Sequence, residues 1–251
     1  REENCRGIGI SGAADLKAFN LLKILGVIPA RGGSKGVPRK NIKELNGQPL
    51  IAYTIKSALN ARSLSKVVVS TDDQEIADIS KNYGAEVPFL RPNNLAEDKT
   101  PTLPVLQHAL SFFDSQNEKY DGVCLLQATS PFREPSLIDQ AVEMFMTTKA
   151  DTLITVRKVP DHYNPHWVFE KKGESDYLKV STGEEKLISR RQDLPSAFHR
   201  DGMIYIMSRE VLLEQNDLFG DIVVGMELHG STINIDTEED WAKAEEYAAG
   251  R

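Results

Sequence analysis

Apolar and polar positions in the first half of the chain follow a pattern typical of β-α-β units. Short apolar runs bounded by turn residues alternate with segments in which apolar residues recur at helical spacing. We predict, in order, a strand at 24–29, a helix near 50–60, a strand at 66–70, helices at 73–82 and near 102–113, a strand at 122–127 and a helix near 136–147. This alternation favours an α/β fold with a mainly parallel sheet and helices on both faces.

The second half of the chain is less regular. We predict strands near 151–158, 166–171, 203–207 and 232–235, followed by a helix at 237–248. Either Asp236 or Thr237 would be the N-cap of this helix, and the acidic residues in its first turn suit the helix dipole. Residues from about 160 to 200 depart from the alternation and are rich in charged and turn residues. We interpret them as an insertion or arm.

Composition favours one domain without a disulfide framework. The chain has 251 residues, 40% of them hydrophobic, which is enough for one substantial core. Of its two cysteines, Cys5 and Cys124, the second lies in the apolar run GVCLL, so we expect a reduced core residue. No membrane span or secretory signal is visible, so we expect a cytoplasmic location and no membrane partner. Residues 1–22 are interpreted as a tag, a linker or an upstream remnant, and 23–251 as the domain.

The segment that follows the first predicted strand has the composition of a phosphate cradle. After the apolar run at 24–28 come three glycines and five cations: Arg31, Lys35, Arg39, Lys40 and Lys43. Glycine lets a backbone approach an anion closely, and cations neutralise it. Because the chain has a formal net charge of −7, the cluster favours an anionic ligand over an ordinary glycine turn with surface lysines.

Two better-known glycine loops do not account for this segment. A Walker A loop needs Gly-Lys-Ser or Gly-Lys-Thr, whereas this chain has Ser34, Lys35 and Gly36 in that order. A dinucleotide fingerprint does occur at Gly7, Gly9 and Gly12, but it follows polar residues instead of an apolar strand. We interpret that second match as chance.

The sequence IPARGGSKGVPRKN (28–41) resembles the N-terminal signature of the CMP-sialic acid synthetases, cytidylyltransferases that activate nine-carbon 2-keto sugar acids. The resemblance continues to the C-terminus in family order, through VVVSTDD (67–73), FLRPNNLAED (89–98), LLQATSPFR (125–133), SRRQDLPSAFHRDGMIYI (189–206) and INIDTEEDW (233–241). It implies a three-layer Rossmann-like nucleotidyltransferase fold with a mainly parallel central sheet. It also implies a homodimer with a projecting dimerisation arm, for which residues 160–200 are the candidate.

The resemblance implies that CTP and a nine-carbon sugar acid are the substrates and that Mg2+ is the cofactor. The anomeric hydroxyl of the sugar would attack the α-phosphorus of CTP and release pyrophosphate, a reaction that depends mainly on positioning and charge stabilisation. Loops after parallel strands converge at one edge of the sheet, where ligands bind. The motifs mostly follow predicted strands, so they can share one site.

Roles for individual residues follow from the resemblance, position by position. It implies catalytic roles for Arg31, Lys35, Lys40 and Asp236, nucleotide binding by Ala30, Arg31, Gly32, Asn41, Arg91 and Thr102, and sugar binding by Gln127 and Arg191. A guanidinium such as that of Arg191 suits a carboxylate bidentately. Asn41 could instead cap a turn, and Arg39 and Lys43 could be solvated.

The expected metal site departs from the family pattern. Many relatives carry Asp-x-Asp in the late segment, whereas this chain has Asn234 and Asp236. Magnesium needs only one or two protein carboxylates beside substrate phosphates, so Asp236 can suffice, with Asn234 contributing a carbonyl oxygen or a water contact. Asp240 could assist, but an acid favoured at a helix N-terminus is the simpler interpretation.

The branch of the family and two rival functions remain open at this point. The segments 159–170 and 233–241 look closer to the legionaminic acid branch of the family. CMP-Kdo synthetase is the nearest enzymatic rival, although its loop lacks the Ser-Lys-Gly and Lys-Asn elements found here. A nucleotide-binding regulatory module without catalysis is a rival from another class. Nucleic-acid binding is disfavoured because the chain is acidic overall.

Overall fold

The computed structural model describes residues 22–230 and 232–250, so Cys5 and the fingerprint at Gly7, Gly9 and Gly12 lie outside the described residues. Within them, a central sheet contains six strands in the order β10 (Val223–Glu227), β6 (Thr152–Lys158), β9 (Phe198–Ser208), β5 (Gly122–Leu125), β1 (Ile24–Pro29) and β4 (Lys66–Ser70). Strand β1 is parallel to β4 and to β5. Strand β9 is antiparallel to both of its neighbours.

The remaining elements complete an α/β architecture. The strands β6 (Thr152–Lys158) and β10 (Val223–Glu227) close the sheet on one side, and β2 (Glu44–Leu45) with β3 (Gln48–Pro49) forms a small hairpin. The helices are α1 (Leu50–Asn60), α2 (Gln74–Asn82), α3 (Thr102–Ser115), α4 (Pro135–Thr148), α5 (Arg209–Leu213) and α6 (Glu238–Ala249). Among the described residues, no helix is both long and apolar enough to cross a membrane.

Alternate side chains of β1 face two separate hydrophobic clusters, which gives the molecule three layers. Ile24 and Ile28 pack with residues of α1 and α4 on one face. Leu25 and Val27 pack with residues of α3 on the other face. Because both faces of β1 are covered, its sequence is a continuous apolar run instead of an alternating one. The free thiol of Cys124 lies inside the first cluster, as predicted, and burial raises its pKa to about 12.

A third cluster joins the cationic loop to the late segment of the chain. It contains Val37 from the loop, Leu50 from α1, and Ile235 with Trp241 from the end of the chain. The predicted strand at 232–235 is wrong, since none of its described residues is in a strand. Ile235 instead buries its side chain in this cluster, and its N–H donates to the carbonyl oxygen of Thr129 at 2.8 Å. The late segment is therefore fixed beside the loop by packing.

Most of the other predicted strands and helices lie close to the observed elements, but the predicted strand at 166–171 is a strand only over Phe169–Lys171, and the short elements at 44–45, 48–49, 178–180 and 209–213 were not predicted. Strand β9 extends further toward the N-terminus than 203–207, and β10 was missed because residues 219–230 carry no clear alternation. Thr237 is the N-cap of α6, and Asp240 completes a capping box with it. The side-chain hydrogen bond from Thr237 holds the pKa of Asp240 below its ordinary value. Asp240 is thus a helix-capping acid.

Residues 159–197 form one long connection between the paired strands β6 and β9. Lys158 is in register with Phe198, and the N–H of Val159 donates to the carbonyl oxygen of Ala197 at 2.8 Å. Within the connection lies a short hairpin of β7 (Phe169–Lys171) and β8 (Leu178–Val180), separate from the central sheet. Several of its large apolar side chains are exposed: Tyr163, Val168, Phe169, Tyr177 and Leu178. This geometry is that of an insertion into the sheet domain.

Candidate active site

A cavity of about 270 Å³ lies between the loop after β1 and the segment 91–102, which connects α2 to α3, with Thr129 from the loop after β5 in its wall. Its walls include five residues for which the resemblance implied catalysis or nucleotide binding: Arg31, Lys40, Asn41, Arg91 and Thr102. Four of these residues come from two separate sequence motifs, 28–41 and 89–98, and Thr102 lies just after the second. The fold therefore brings together at one place what the sequence distributes over 72 positions, from 31 to 102.

Two further predicted nucleotide-binding residues are not among the residues that line this cavity. Ala30 is buried, and its N–H donates to the carbonyl oxygen of Ser70 at 2.9 Å. The N–H of Gly32 donates to Oδ1 of Asp72 at 3.0 Å. A Cβ on Gly32 would also lie 2.7 Å from Oδ2 of Asp73. Their direct contacts with a nucleotide stay predictions, but the structure gives both residues a role in shaping the loop.

The five cations of the loop divide into two groups. Arg39 pairs with Asp73 and Glu75, and Lys43 pairs with Glu238 while lying 4.3 Å from the ring centroid of Trp241. These two cations therefore hold the loop against neighbouring elements. Arg31, Lys35 and Lys40 differ, because Arg31 and Lys35 pair with Asp98 in the cavity wall and Lys40 pairs with Asp236. Lys35 and Asp236 are themselves not among the residues that line the cavity.

Asp73 anchors the cationic loop to the start of α2. Arg39 has a left-handed backbone, with φ of 53°, and its guanidinium donates to the Asp73 carboxylate. The same carboxylate caps α2 by accepting from the N–H of Ile76 at 3.0 Å. Burial raises the pKa of Asp73, but the hydrogen bonds from Arg39 and Ile76 outweigh it and hold the pKa below its ordinary value. The carboxylate stays ionised and holds the loop in place.

Two polar side chains in the cavity wall are also fixed by the backbone. Asn41 donates from Nδ2 to the carbonyl oxygen of Arg31 at 2.9 Å, so it shapes the turn. Arg91 is 6% exposed and donates to the carbonyl oxygens of Ser70 at 3.0 Å and Leu95 at 3.2 Å. Burial lowers the pKa of Arg91. Its buried Nε has no hydrogen-bond partner among the described residues, so this guanidinium keeps a donor that they do not use.

The late segment meets the cationic loop through Lys40 and Gly36. Nζ of Lys40 donates to the carbonyl oxygen of Ile235 at 2.6 Å and to Oδ1 of Asp236 at 3.2 Å. A Cβ on Gly36 would lie only 2.0 Å from the carbonyl oxygen of Asp236. Glycine is therefore required sterically at position 36. Both contacts place the carboxylate of Asp236 next to the loop that carries the cations.

The two predicted metal ligands are in direct contact. Nδ2 of Asn234 donates to Oδ2 of Asp236 at 2.8 Å, and the hydroxyl of Ser130 donates to Oδ1 of Asn234 at 3.4 Å. The Asp236 side chain is 63% exposed, so its carboxylate is accessible from solvent. Among the described residues, no group of three or more His, Cys, Asp or Glu side chains is placed to hold a metal ion. One accessible carboxylate and one amide fit a magnesium ion that binds mainly to water and substrate phosphates.

The two predicted sugar-binding residues, Gln127 and Arg191, are not among the residues that line the cavity described above. Gln127 follows β5, and its Oε1 lies 3.1 Å from the position of a Cβ on Gly202, whose φ is +84°. Arg191 lies in the insertion, pairs with Asp161 and lines a second cavity of about 450 Å³ with Lys158, His162 and Trp167. The hydrogen bond from Arg191 holds the pKa of Asp161 below its ordinary value. The structure therefore does not bring Arg191 and the cationic loop into one cavity.

Sequence reasoning missed two polar groups near Gln127. Arg133 is buried and donates from Nη2 to the carbonyl oxygens of Gln127 at 3.3 Å and Met203 at 2.6 Å. Burial lowers its pKa to about 10. Asp201 accepts from the Thr155 hydroxyl at 2.6 Å and from the N–H of Met203 at 3.0 Å. The available signal was that both charged residues lie inside family-like segments, 125–133 and 189–206, which does not indicate burial.

A mainly parallel α/β sheet with a cationic cavity beyond its strand ends is the architecture of a nucleotide-binding enzyme. Comparisons with known proteins give the class. A family model described as Cytidylyltransferase matches residues 25–249. The chain is 37% identical over 198 residues to the pseudaminic acid cytidylyltransferase of Campylobacter jejuni, covering 79% of this chain and 84% of that protein. It is 35% identical over 226 residues to the CMP-N,N'-diacetyllegionaminic acid synthase of Legionella pneumophila, covering 89% and 95%.

A solved structure of CMP:2-keto-3-deoxy-manno-octonic acid synthetase with CTP matches the fold, with a TM-score of 0.69. The two chains are 20% identical, and the match covers 91% of this chain and 99% of the other. The fold prediction of a nucleotidyltransferase with a mainly parallel central sheet is thus confirmed. The chain belongs to the cytidylyltransferase family, and it is an enzyme of the nucleotidyltransferase class.

Proposed function

We propose that this enzyme transfers CMP from CTP to the anomeric hydroxyl of a nine-carbon 2-keto sugar acid and releases pyrophosphate. One observation carries the proposal: the motif residues Arg31, Lys40, Asn41, Arg91 and Thr102 line one cavity in a chain of this family. The relatives named for pseudaminic and legionaminic acid support a nine-carbon acceptor. The likeness to the Kdo enzyme is a likeness of fold.

The chain's own residues suit this reaction in distinct ways. Arg31, Lys35 and Lys40 offer positive charge to the triphosphate, where negative charge accumulates as the bond from the α-phosphorus to the leaving pyrophosphate breaks. The new bond joins the sugar's anomeric oxygen to the α-phosphorus, and the hydroxyl proton is released. Arg91, held by two backbone carbonyls, offers a fixed donor to the nucleotide.

We propose Asp236 as the protein carboxylate of a magnesium site, with Asn234 beside it. When bound, Mg2+ would supply positive charge that neutralises phosphate oxygens. Lys40 orients Asp236 through Oδ1, and Asn234 contacts Oδ2. A 180° rotation of the Asn234 side-chain amide would exchange its nitrogen and oxygen and place an oxygen beside the carboxylate. The protein therefore offers oxygen donors at the edge of the cationic loop.

The experiment that tests the reaction is pyrophosphate release with CTP and Mg2+ against pseudaminic acid, legionaminic acid, sialic acid and Kdo. Release with one nine-carbon acid is expected, and that acid is the substrate. Release with Kdo alone would replace the nine-carbon assignment by the eight-carbon one. Release with none of the four, in a protein that binds CTP, would contradict all of these acceptors.

The second cavity supports a role for Arg191 in acceptor binding. We expect Arg191→Ala to raise KM for the sugar acid about 10- to 100-fold, since a charged hydrogen-bond partner of a carboxylate is lost. KM for CTP should change by less than about threefold, because Arg191 is not among the residues lining the nucleotide cavity. Steady-state kinetics with each substrate varied in turn measures both values.

The adjacent Arg190 provides a matched control. It forms a two-point ion pair with Asp193 and is not among the residues that line either cavity described above. Arg190→Ala removes the same charge from the same segment, and both KM values should stay near those of the unaltered enzyme. Equal effects of the two substitutions on KM for the sugar acid would show a general effect of charge or of the segment's folding instead of a contact between Arg191 and the sugar acid.

We further propose that the insertion mediates a homodimer. Its support is the exposed apolar surface of the β7–β8 hairpin and its surroundings, which include Tyr163, Phe169, Tyr177 and Leu178. Contiguous exposed apolar side chains are characteristic of association surfaces. Light scattering on the purified protein should give twice the mass of 28.0 kDa, and Tyr177→Lys with Leu178→Lys should shift it toward one chain. A monomer at all concentrations would contradict the proposal.

The cytoplasmic location stays a prediction.

A further inference from the structure

One carboxylate lies between two of the cations that the proposed reaction needs. Oδ1 of Asp98 is 2.9 Å from Nη2 of Arg31, and Oδ2 is 2.6 Å from Nζ of Lys35. The two oxygens of one anionic group thus bridge two cations. Two oxygens of a phosphate group can bridge the same pair in the same manner.

The position of Asp98 places it in the wall of the nucleotide cavity. The segment that carries it contributes Leu95, Glu97, Asp98 and Thr100 to the same cavity that Arg31 lines. A phosphate group that reaches Arg31 therefore meets the Asp98 carboxylate, which carries charge of the same sign. The hydrogen bond from Lys35 holds the pKa of Asp98 below its ordinary value, so this carboxylate is ionised at neutral pH.

The contact is one that a ligand can displace. The side chain of Asp98 is 43% exposed and that of Lys35 is 78% exposed, so water can solvate both when they separate. Ion pairs of this exposure are individually weak. A triphosphate carries several negative charges and offers more oxygens to Arg31 and Lys35 than one carboxylate does.

We propose that Asp98 is an internal competitor for the phosphate-binding position between Arg31 and Lys35, which the nucleotide's phosphate groups displace. The inference rests on the proposed function only for the identity of the nucleotide. It makes Asp98 a residue that sets affinity for phosphates. In the opposite role, Asp98 would hold both cations in position and stay in place when the ligand binds. Asp98→Asn would then weaken phosphate binding.

Isothermal titration of Asp98→Asn with CTP and with inorganic tripolyphosphate, in magnesium-free buffer, separates these roles. Loss of two partly exposed ion pairs is expected to tighten both ligands about threefold to tenfold. Cytidine carries no phosphate, so any affinity it has should stay unchanged. Tripolyphosphate has no base, so it tests the role of Asp98 independently of the nucleotide's identity. If tripolyphosphate binds and CTP does not, the cytidylyl assignment is contradicted and the proposal for Asp98 still stands.

Asp193→Asn is the matched control. Its side chain is also 43% exposed and pairs with a cation, Arg190, that is not among the residues lining the cavity. It removes one negative charge from the same protein, so an unchanged affinity here excludes a general charge effect. Asp98→Asn should also gain less in a Lys35→Ala background, because one of the two ion pairs of Asp98 is already absent.

Three results would overturn the proposal. The first is weaker or unchanged tripolyphosphate binding in Asp98→Asn. The second is an equal gain in Asp193→Asn. The third is no binding of tripolyphosphate to either the unaltered protein or Asp98→Asn, since the cradle would then not bind phosphates at all.

Discussion

Gly36→Ala is expected to reduce kcat/KM by at least about 100-fold, the scale of loss that follows when reacting groups move by about 1 Å. The added Cβ would lie 2.0 Å from the carbonyl oxygen of Asp236, so either the cationic loop or the late segment must move. Lys40 and Asp236 belong to these two segments and contact each other at 3.2 Å. Separating them disrupts the proposed catalytic arrangement. Initial rates of pyrophosphate release over a CTP series that extends from well below KM to above it measure the loss.

The same substitution should also destabilise the folded protein. Overpacking of this kind costs about 1 to 3 kcal/mol, and each kcal/mol lowers Tm by about 2 to 4 °C in a chain of this size. Gly33→Ala is the control for stability, because its Cβ would have no atom of the described residues within 4 Å and Gly33 is not among the glycines with positive φ. It should leave Tm unchanged or slightly higher. Near-normal activity and Tm in Gly36→Ala would show that the two segments are not held together by this contact.

The predictable parts of the fold are those in which a local pattern decides the structure. Strand β1 could be predicted because both of its faces are buried, which produces an uninterrupted apolar run. The predicted strand at 232–235 failed because Ile233 and Ile235 alternate with polar residues, as in a half-buried strand. Their apolar side chains pack instead with Trp241 and Val37. A period of two identifies alternate burial, and it does not identify the partner that buries the residues.

The candidate site was predictable where a motif carries it and unpredictable where a tertiary contact does. Arg31, Asn41 and Arg91 could be assigned to one site from their motifs, and they line one cavity. Asp98 closes the family-like segment 89–98, but its contact with Arg31 and Lys35 depends on how two loops separated by more than 60 residues meet. The same holds for the contact between Gly36 and Asp236. Pairing of opposite charges across loops has no signature in sequence spacing.

The second large effect is expected for Asp236→Ala, which should lower kcat by at least about 100-fold, the scale for losing charge stabilisation at a phosphoryl group. Asp236 is the accessible carboxylate beside Lys40, and Asn234 cannot replace it because an amide carries no charge. Raising the Mg2+ concentration should not restore activity. The carboxylate of Asp236 is exposed, so the substitution should change Tm little. A loss of activity at an unchanged Tm is then not caused by unfolding. Full activity at ordinary Mg2+ would place the metal elsewhere.

Asn234→Asp tests whether the amide is part of the same site. The substitution replaces an N–H donor 2.8 Å from Oδ2 of Asp236 by a second carboxylate, so two like charges face each other until a cation separates them. We expect a lower Tm without Mg2+ and a larger rise in Tm when Mg2+ is added than in the unaltered protein, because the cation binds the folded state more tightly. Thermal unfolding across a Mg2+ series measures both effects, with Asn216→Asp, an exposed asparagine outside this segment, as the charge control. If the two variants respond alike to Mg2+, position 234 is peripheral to the metal. Asp236 then supplies the protein's charge to the metal site without a contribution from residue 234.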